Sequence, residues 1–232
     1  MTVEDCIGYG THTGGNGDGR GFIIGIHATA DSGYAIIRRC VSFDNPTQGM
    51  PIAGAPYTSV YHCTVFDNGF QRAGENLPTN CSGVQLGTND TQFLNNAAFD
   101  SHSDVSPTSV DWDRGSQTGI RSDYNCIKDG NDLGLEGGHS FSGDPQITSK
   151  ATARSLANQY TAGTIARATF LIQLANALRP ASGSPLINAG GFLTTTSGGG
   201  VSTSLVPPNH NPRLYFRIGD TIRVGSNTTT LA

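Results

Sequence analysis

Short runs of alternating apolar and polar residues recur along the first hundred positions, and each run ends on an aromatic side chain. Four such segments align at their last residue: 3–9, 37–43, 60–66 and 93–99. The final column holds Tyr9, Phe43, Phe66 and Phe99. The columns two and six residues earlier are also apolar or small: Ile7, Val41, Thr64 and Ala97, then Val3, Ile37, Val60 and Phe93. Side chains of a strand alternate between its two faces, so we expect these columns to point into a core.

Polar columns interrupt and follow these segments. Four residues before the aromatic stand Asp5, Arg39, His62 and Asn95, where the alternation breaks and predicts a bend between two short strands. After the aromatic come Asp44-Asn45, Asp67-Asn68 and Asp100-Ser101. Asn and Asp tolerate unusual backbone angles and bond nearby backbone groups, so these pairs predict stacked turns. An acidic stripe that binds Ca²⁺ through carboxylate oxygens is the alternative.

The repeat length predicts the architecture. The step from Phe43 to Phe66 is 23 residues, which suits one coil of a solenoid, and the longer steps suit a coil with an inserted loop. Stacked coils bury a continuous core that no single coil could bury. We therefore expect an all-β, single-stranded parallel β-helix. A fifth coil is expected near residue 120, with Ile120, Tyr124 and Cys126 inward.

The pattern changes after residue 130. Apolar spacing predicts a short helix over 168–178, stopped by Pro180. A glycine-rich link follows at 197–200, and the tail at 214–224 predicts a β-hairpin that turns at Gly219-Asp220. We expect two domains, a solenoid over 1–190 and a small β extension over 191–232.

Composition excludes several classes of protein. The net charge is −4 and only two lysines are present, so no basic surface for nucleic acid is expected. No apolar run is long enough to span a membrane. The five cysteines form no CxxC pair, which argues against a zinc site and favours buried thiols. The chain starts inside repeat-like sequence without a signal peptide. The exposed strand edges there predict a missing segment or a partner chain that caps the solenoid.

Several motifs resemble the right-handed parallel β-helix proteins of the pectate-lyase-like superfamily. They are Arg39-Cys40-Val41-Ser42-Phe43-Asp44-Asn45 and its copies, Ser122-Asp123-Tyr124-Asn125, Ser142-Gly143-Asp144-Pro145 and Gly183 to Gly190. The resemblance covers roughly residues 1–190 and implies a right-handed helix. The superfamily includes polysaccharide lyases, glycoside hydrolases, tailspikes and non-catalytic surface proteins, so fold does not choose the function. It implies a polysaccharide as partner and favours an extracellular, cell-surface or virion location.

The first candidate site is a patch of cationic and aromatic residues. Arg38 and Tyr61 share one column, and Arg39 and His62 share the next. A lyase needs a base beside an electrophile that neutralises a uronate carboxylate, and Ca²⁺ would be the cofactor to test. Arg38, Arg39 and His62 are the candidate catalysts, with Tyr61 in substrate binding. The alternative is a solvated face of the solenoid, or an ion pair between Arg39 and Asp5.

The second candidate site is the run from Asp111 to Arg114. Asp111 and Asp113 are the candidate carboxylates of a hydrolase, Trp112 could stack on a sugar ring, and Arg114 could hold a carboxylate. The alternative is a polar loop with Trp112 folded onto the solenoid. The histidines are scattered and define no triad. A calcium loop through Asn16 and Asp18 lacks the usual acidic spacing.

Two functions compete on these grounds. The first is a polysaccharide-interacting β-helix protein, as a lyase or a glycoside hydrolase on an acidic polysaccharide. The second is a non-catalytic structural or adhesive solenoid module of a surface or virion protein. They are distinguished by whether Arg39, His62 and an acid converge in a cleft.

Overall fold

The fold is taken from a computed structural model. It describes residues 1–11, 19–23, 35–53, 57–69, 82–87, 89–101, 110–113, 117–129 and 138–187, and the backbone of 221–224 and 227–230. Arg114, Asn16, Asp18, Cys81 and the link at 197–200 lie outside these residues. The chain divides into two compact units, Met1–Gly191 and Phe192–Ala232.

The first unit contains short strands in three parallel sheets. The first sheet has the order β1 (Thr2–Glu4), β3 (Ile36–Arg38), β6 (Ser59–Tyr61), β9 (Gln92–Leu94) and β12 (Arg121–Asp123). The second has β2 (Ile7–Tyr9), β4 (Val41–Phe43), β7 (Thr64–Phe66), β10 (Ala97–Phe99) and β13 (Cys126–Ile127). The third has β5 (Gln48–Ala53), β8 (Ser82–Gly87) and β11 (Val110–Asp113). All-parallel stacked sheets of this kind are compatible with a parallel β-solenoid.

The strands pair in the register that is predicted by aligning the four repeated segments at their aromatic residues. Tyr9, Phe43, Phe66 and Phe99 pair in series along the second sheet. Val3, Ile37, Val60 and Phe93 do so along the first. Each strand pair with its bend is called a repeat below. Repeats 1 to 5 begin at β1, β3, β6, β9 and β12.

Both predicted bends use left-handed backbone conformations. At the first bend, φ lies between 53° and 58° at Asp5, Arg39, His62, Asn95 and Tyr124. At the second bend, φ is 62°, 55°, 49° and 55° at Gly10, Asp44, Asp67 and Asp100. Glycine reaches this region without strain, and Asp and Asn are the L residues most often found there. The turn interpretation of the aspartate column is confirmed.

The expected direction of the aromatic column is wrong. The core shared by the three sheets holds Ile37, Val60 and Phe93 together with Cys40, Cys63, Val65 and Met50. The ladder of Phe43, Phe66 and Phe99 belongs to a second cluster with the helices. Because the bend shifts the alternation by one residue, the inward positions after it are Cys63 and Val65, and the aromatic faces outward. For the same reason Cys126 joins the outer cluster, and Tyr124 lies at the bend itself.

Two helices cover this aromatic ladder. Helix α1 spans Lys150–Thr161 and helix α2 spans Arg167–Ala177, so the predicted helix at 168–178 is confirmed and α1 is an addition. Ser149 caps α1, accepting a hydrogen bond from the backbone nitrogen of Thr152 at 3.1 Å. Successive rings along the ladder stack with centroids 5.4, 5.0 and 5.3 Å apart. Phe170 of α2 lies 6.1 Å from Tyr9 at the end of the ladder.

A ladder of buried polar side chains follows the second bend. Asn45 Nδ2 donates to Asn68 Oδ1 at 2.8 Å, and the Asn68 backbone nitrogen donates to Ser101 Oγ at 3.2 Å. Asn68 Nδ2 also donates to the carbonyls of Ser42 and Phe66. The third sheet approaches so closely that a Cβ at Gly49 would lie 2.5 Å from Asn68 Nδ2. Asn68 thus satisfies backbone groups of two adjacent repeats.

The second unit contains an antiparallel pair, β14 (Thr221–Val224) and β15 (Asn227–Thr230). The predicted turn at Gly219-Asp220 lies outside the described residues.

Substitution Asn68→Ala should lower the free energy of unfolding by about 2–4 kcal/mol, because it leaves several buried backbone groups without partners. Chemical denaturation followed by circular dichroism measures this change. Asn176→Ala on the exposed side of α2 is the matched control and should change stability by less than about 0.5 kcal/mol. Equal effects of the two substitutions would contradict the ladder's role.

Candidate functional site

The two candidate arginines are bound to carboxylates of the preceding repeat. Arg38 Nε lies 2.7 Å from Glu4 Oε2, and Arg38 is buried. Arg39 holds Asp5 with two contacts, Nε to Oδ1 at 2.8 Å and Nη2 to Oδ2 at 3.2 Å. Its Nη2 also reaches Glu4 Oε2 at 3.1 Å. The alternative in which Arg39 pairs with Asp5 is therefore what the structure contains.

Tyr61 and His62 lie beside these arginines in the next repeat, with different exposure. Tyr61 is only 2% exposed, and its hydroxyl donates to Gln92 Oε1 at 2.9 Å. His62 is exposed at the first bend. The backbone nitrogen of Arg39 bonds the carbonyl of Tyr61 at 3.1 Å, so Arg39 and His62 are stacked neighbours. The structure thus brings the four residues into one region, with only His62 largely open to solvent.

Three residues of the second candidate site, Asp111, Trp112 and Asp113, lie in strand β11 and have different surroundings. Trp112 is 1% exposed and packs in the core, with its ring centroid 4.4 Å from that of Phe93. A ring buried in this way has no face available to a sugar, so its role in this conformation is packing. Asp113 accepts a hydrogen bond from Gln85 Nε2 at 3.3 Å. Arg114 lies outside the described residues.

Asp111 is buried beside the second bend and closes the polar ladder. It takes the position held by Gly49 and Gly83 in earlier repeats, and its Oδ1 accepts from the Ser101 backbone nitrogen at 2.5 Å. Its Oδ2 accepts from the backbone nitrogen of Asp129 at 3.1 Å. Burial raises the pKa of Asp111 to about 7, against the lowering effect of these two hydrogen bonds. The carboxyl group therefore titrates near neutrality while it performs a structural task.

The aspartate column at the second bend is paired with basic side chains. Arg154 of α1 contacts Asp67 at 3.2 Å and Asp44 at 3.7 Å. Lys150 and Lys128 both bind Asp100. Within the described residues, no group of three or more His, Cys, Asp or Glu side chains is arranged to hold a metal ion. The carboxylates that suggested a calcium stripe thus anchor α1 to the second sheet.

An exposed acid–histidine pair, which the sequence did not single out, lies at the first bend of repeat 5. His139 Nδ1 is 2.9 Å from Asp123 Oδ2, and its backbone nitrogen donates to Asp123 Oδ1 at 3.0 Å. The imidazole stacks on Tyr124, with centroids 4.4 Å apart and planes 2° apart. Partial burial alone would raise the pKa of Asp123, but the hydrogen bonds that it accepts from His139 and Tyr124 lower this pKa below its ordinary value. Sixteen residues separate Asp123 from His139, and no local motif signals their contact.

A shallow open depression lies between the start of α1 and the end of α2. It has a volume of about 310 Å³ and is lined by Thr148, Ser149, Thr152, Gln173, Asn176 and Ala177. None of the candidate residues from the sequence lies in this depression. The depression offers hydroxyl and amide groups but no acid or base for proton transfer.

Comparisons with known proteins add no relative: no family model, no curated protein and no solved structure matches this chain. Neither of the two helices that the described residues form is long and apolar enough to cross a membrane.

Substitution Asp111→Asn should change the pH dependence of stability. Because the pKa of Asp111 in the folded protein, about 7, exceeds the ordinary aspartate value of 3.8, the folded state holds the proton more tightly. The resulting stabilisation is fully present below about pH 4 and is lost as the pH rises through about 7. The stability of the wild type relative to Asp111→Asn should therefore fall by roughly 2–4 kcal/mol between pH 4 and pH 8.

Denaturant unfolding at a series of pH values measures this difference. Asn176→Ala removes no titratable group and should follow the pH profile of the wild type. A constant difference between wild type and Asp111→Asn from pH 4 to pH 8 would show that Asp111 does not titrate near neutrality.

Proposed function

We propose that this chain is a non-catalytic solenoid module, a structural or adhesive unit of a surface or virion protein. Its architecture would be a right-handed, single-stranded parallel β-helix of the pectate-lyase-like type. The in-register parallel sheets support the β-helix architecture, and the motifs around Arg39 and Asp144 support membership of the superfamily. Handedness and location rest on that resemblance.

The use of the charged side chains is the observation that carries this proposal. Arg38 and Arg39 are bound to Glu4 and Asp5 of the adjacent repeat. A lyase needs its cation free to neutralise a uronate carboxylate, and these guanidinium groups already have carboxylate partners. At the second bend, Arg154 and the lysines likewise form ion pairs with the carboxylates of the aspartate column. The charges of both bends thus hold repeats and helices together.

A carbohydrate-active enzyme is the second candidate, and the Asp123–His139 pair favours it. A carboxylate on Nδ1 orients the imidazole and leaves Nε2 to accept a proton, which is how an acid–histidine pair prepares a general base. The side chain of His139 is 62% exposed, so a polymer could reach it. Its substrate would be an acidic polysaccharide, in keeping with the superfamily.

Activity assays separate the two candidates. Uronate-containing and neutral polysaccharides are incubated with the protein, with and without Ca²⁺. Ultraviolet absorbance detects the unsaturated ends of β-elimination, and a reducing-sugar assay detects hydrolysis. We expect neither product. Turnover that is lost in His139→Ala and retained in Asn176→Ala would overturn the non-catalytic proposal in favour of the enzyme.

Substitution Arg39→Ala should act on stability rather than on any turnover. It removes a two-point contact with Asp5 at a largely solvated bend, so we expect a loss of about 1 kcal/mol in the free energy of unfolding. Thermal denaturation at low and high salt measures it, and high salt should shrink the difference. A loss of polysaccharide cleavage without a change in stability would instead place Arg39 in an active site.

A further inference from the structure

Both lysines of the chain contact one carboxyl group. Lys128 Nζ contacts Oδ1 of Asp100, and Lys150 Nζ contacts Oδ2 of the same side chain. The sequence has 14 lysine and arginine residues, and only these two are lysines. Arginine can hold a carboxylate with two parallel hydrogen bonds, as Arg39 holds Asp5, so it is the better residue for an ion pair. Charge pairing alone therefore does not explain why the lysines converge on Asp100.

Lys150 lies at a position where a cation is unfavourable for the helix. It is the first residue of α1, directly after the N-cap Ser149. The N-terminus of a helix carries a partial positive charge, so acidic side chains are favoured in the first turn and basic side chains in the last. By sequence, the first turn of α1 has no acidic residue that would balance this lysine. Helix stability thus gives no reason for Lys150, and loss of its charge would remove a repulsion.

The groups around Lys150 are those that amide formation requires. Asp67 Oδ1 lies 3.7 Å from Lys150 Nζ, where it can accept a proton from the amine. Arg154 Nη2 holds the other oxygen of Asp67 at 3.2 Å and so fixes the direction of this carboxylate. The ammonium of Lys128 on Oδ1 of Asp100 draws electron density away from the carboxyl carbon. A nucleophile, a proton acceptor and an activated carboxyl group therefore meet at one place.

The reacting groups are shielded from water and held by rigid elements. The side chains of Asp100 and Asp67 are only 14% and 15% exposed, and the ring of Phe99 lies 5.9 Å from Lys150 Nζ. Asp100 is fixed at the second bend and Lys150 at the capped start of α1. Groups that a fold holds in contact react as if at an effective concentration of about 10⁵ M or more. The side chain of Lys150, 35% exposed, leaves an exit for a released water molecule.

We propose that Lys150 and Asp100 form an intramolecular isopeptide bond, which ties α1 covalently to the second bend. Asp67 accepts one proton from the ammonium, and the free amine attacks Cγ of Asp100. The negative charge that develops on Oδ1 faces the ammonium of Lys128. Oδ2 then leaves as water, taking the two protons that the nitrogen loses. An ammonium and a carboxylate thus become an amide and one water molecule, with no oxidant or cofactor. This bond does not depend on which of the two candidate functions holds.

Mass spectrometry of the denatured protein tests the bond. The wild type should be lighter than its sequence by one water molecule, and a protease digest should contain a branched peptide that joins the segments around Asp100 and Lys150. Lys150→Arg keeps the cation but has no nucleophilic amine, so it should have the full mass of its sequence. Arg167→Lys makes the reverse exchange at the exposed first residue of α2 and is the matched control, which should lose one water molecule only. In Asp67→Asn, bond formation should be at least about tenfold slower.

A wild-type protein that keeps the full mass of its sequence after prolonged incubation would overturn the proposal. A loss of water that persists in Lys150→Arg would overturn it as well, because the water would then come from another site, such as a succinimide at Asp129-Gly130. Circular dichroism checks that Lys150→Arg is folded. If it is not, the digest of the wild type decides alone, and absence of the branched peptide rejects the bond. The polysaccharide assays test the proposed function separately.

Discussion

The two left-handed bends are the constraint on which the rest of the structure depends. One residue with φ near 55° ends each strand of the first sheet, and another ends most strands of the second. Such a residue turns the chain without using a long loop, and it shifts which side chains face the core. The identity of the core, the outward aromatic ladder and the position of the helices all follow from that shift. Asp, Asn and Gly recur at the bends because they tolerate this conformation most readily.

The bends also determine where the charged groups go. A left-handed residue projects its side chain from the corner of a repeat, directly above the equivalent side chain of the next repeat. Opposite charges there bind each other, as Asp5 and Arg39 do, and like charges need a counter-charge. The aspartates at the second bend obtain theirs from α1, through Lys150 and Arg154. At the bends of the described repeats, charge is therefore largely structural.

The sequence predicted the register and the bends because both leave a mark at every repeat. It could not reveal that the aromatic column faces away from the core. A bend of one residue reverses which side chains of the next strand point inward, and the sequence does not show that reversal. Helix α1 was missed because its apolar residues, such as Leu156, are few. Trp112 suggested a sugar platform because a lone tryptophan between aspartates resembles an exposed loop, whereas parallel pairing places it inside. The Asp123–His139 contact joins two separate parts of the chain and belongs to no repeated column, so no sequence pattern indicated it.

Departures from the repeat are the places where chemistry beyond folding is expected. Asparagine satisfies the first-bend column in repeats 4 and 5, and asparagine or serine satisfies the second-bend column in repeats 2 to 4. Where a residue fills its column in the usual way, folding explains it. The thiols of Cys40 and Cys63 contact the same two carbonyl positions as Asn96, whereas His139 is an addition at the bend of repeat 5. A residue with no counterpart in the other repeats, such as His139, has the stronger claim to a separate role.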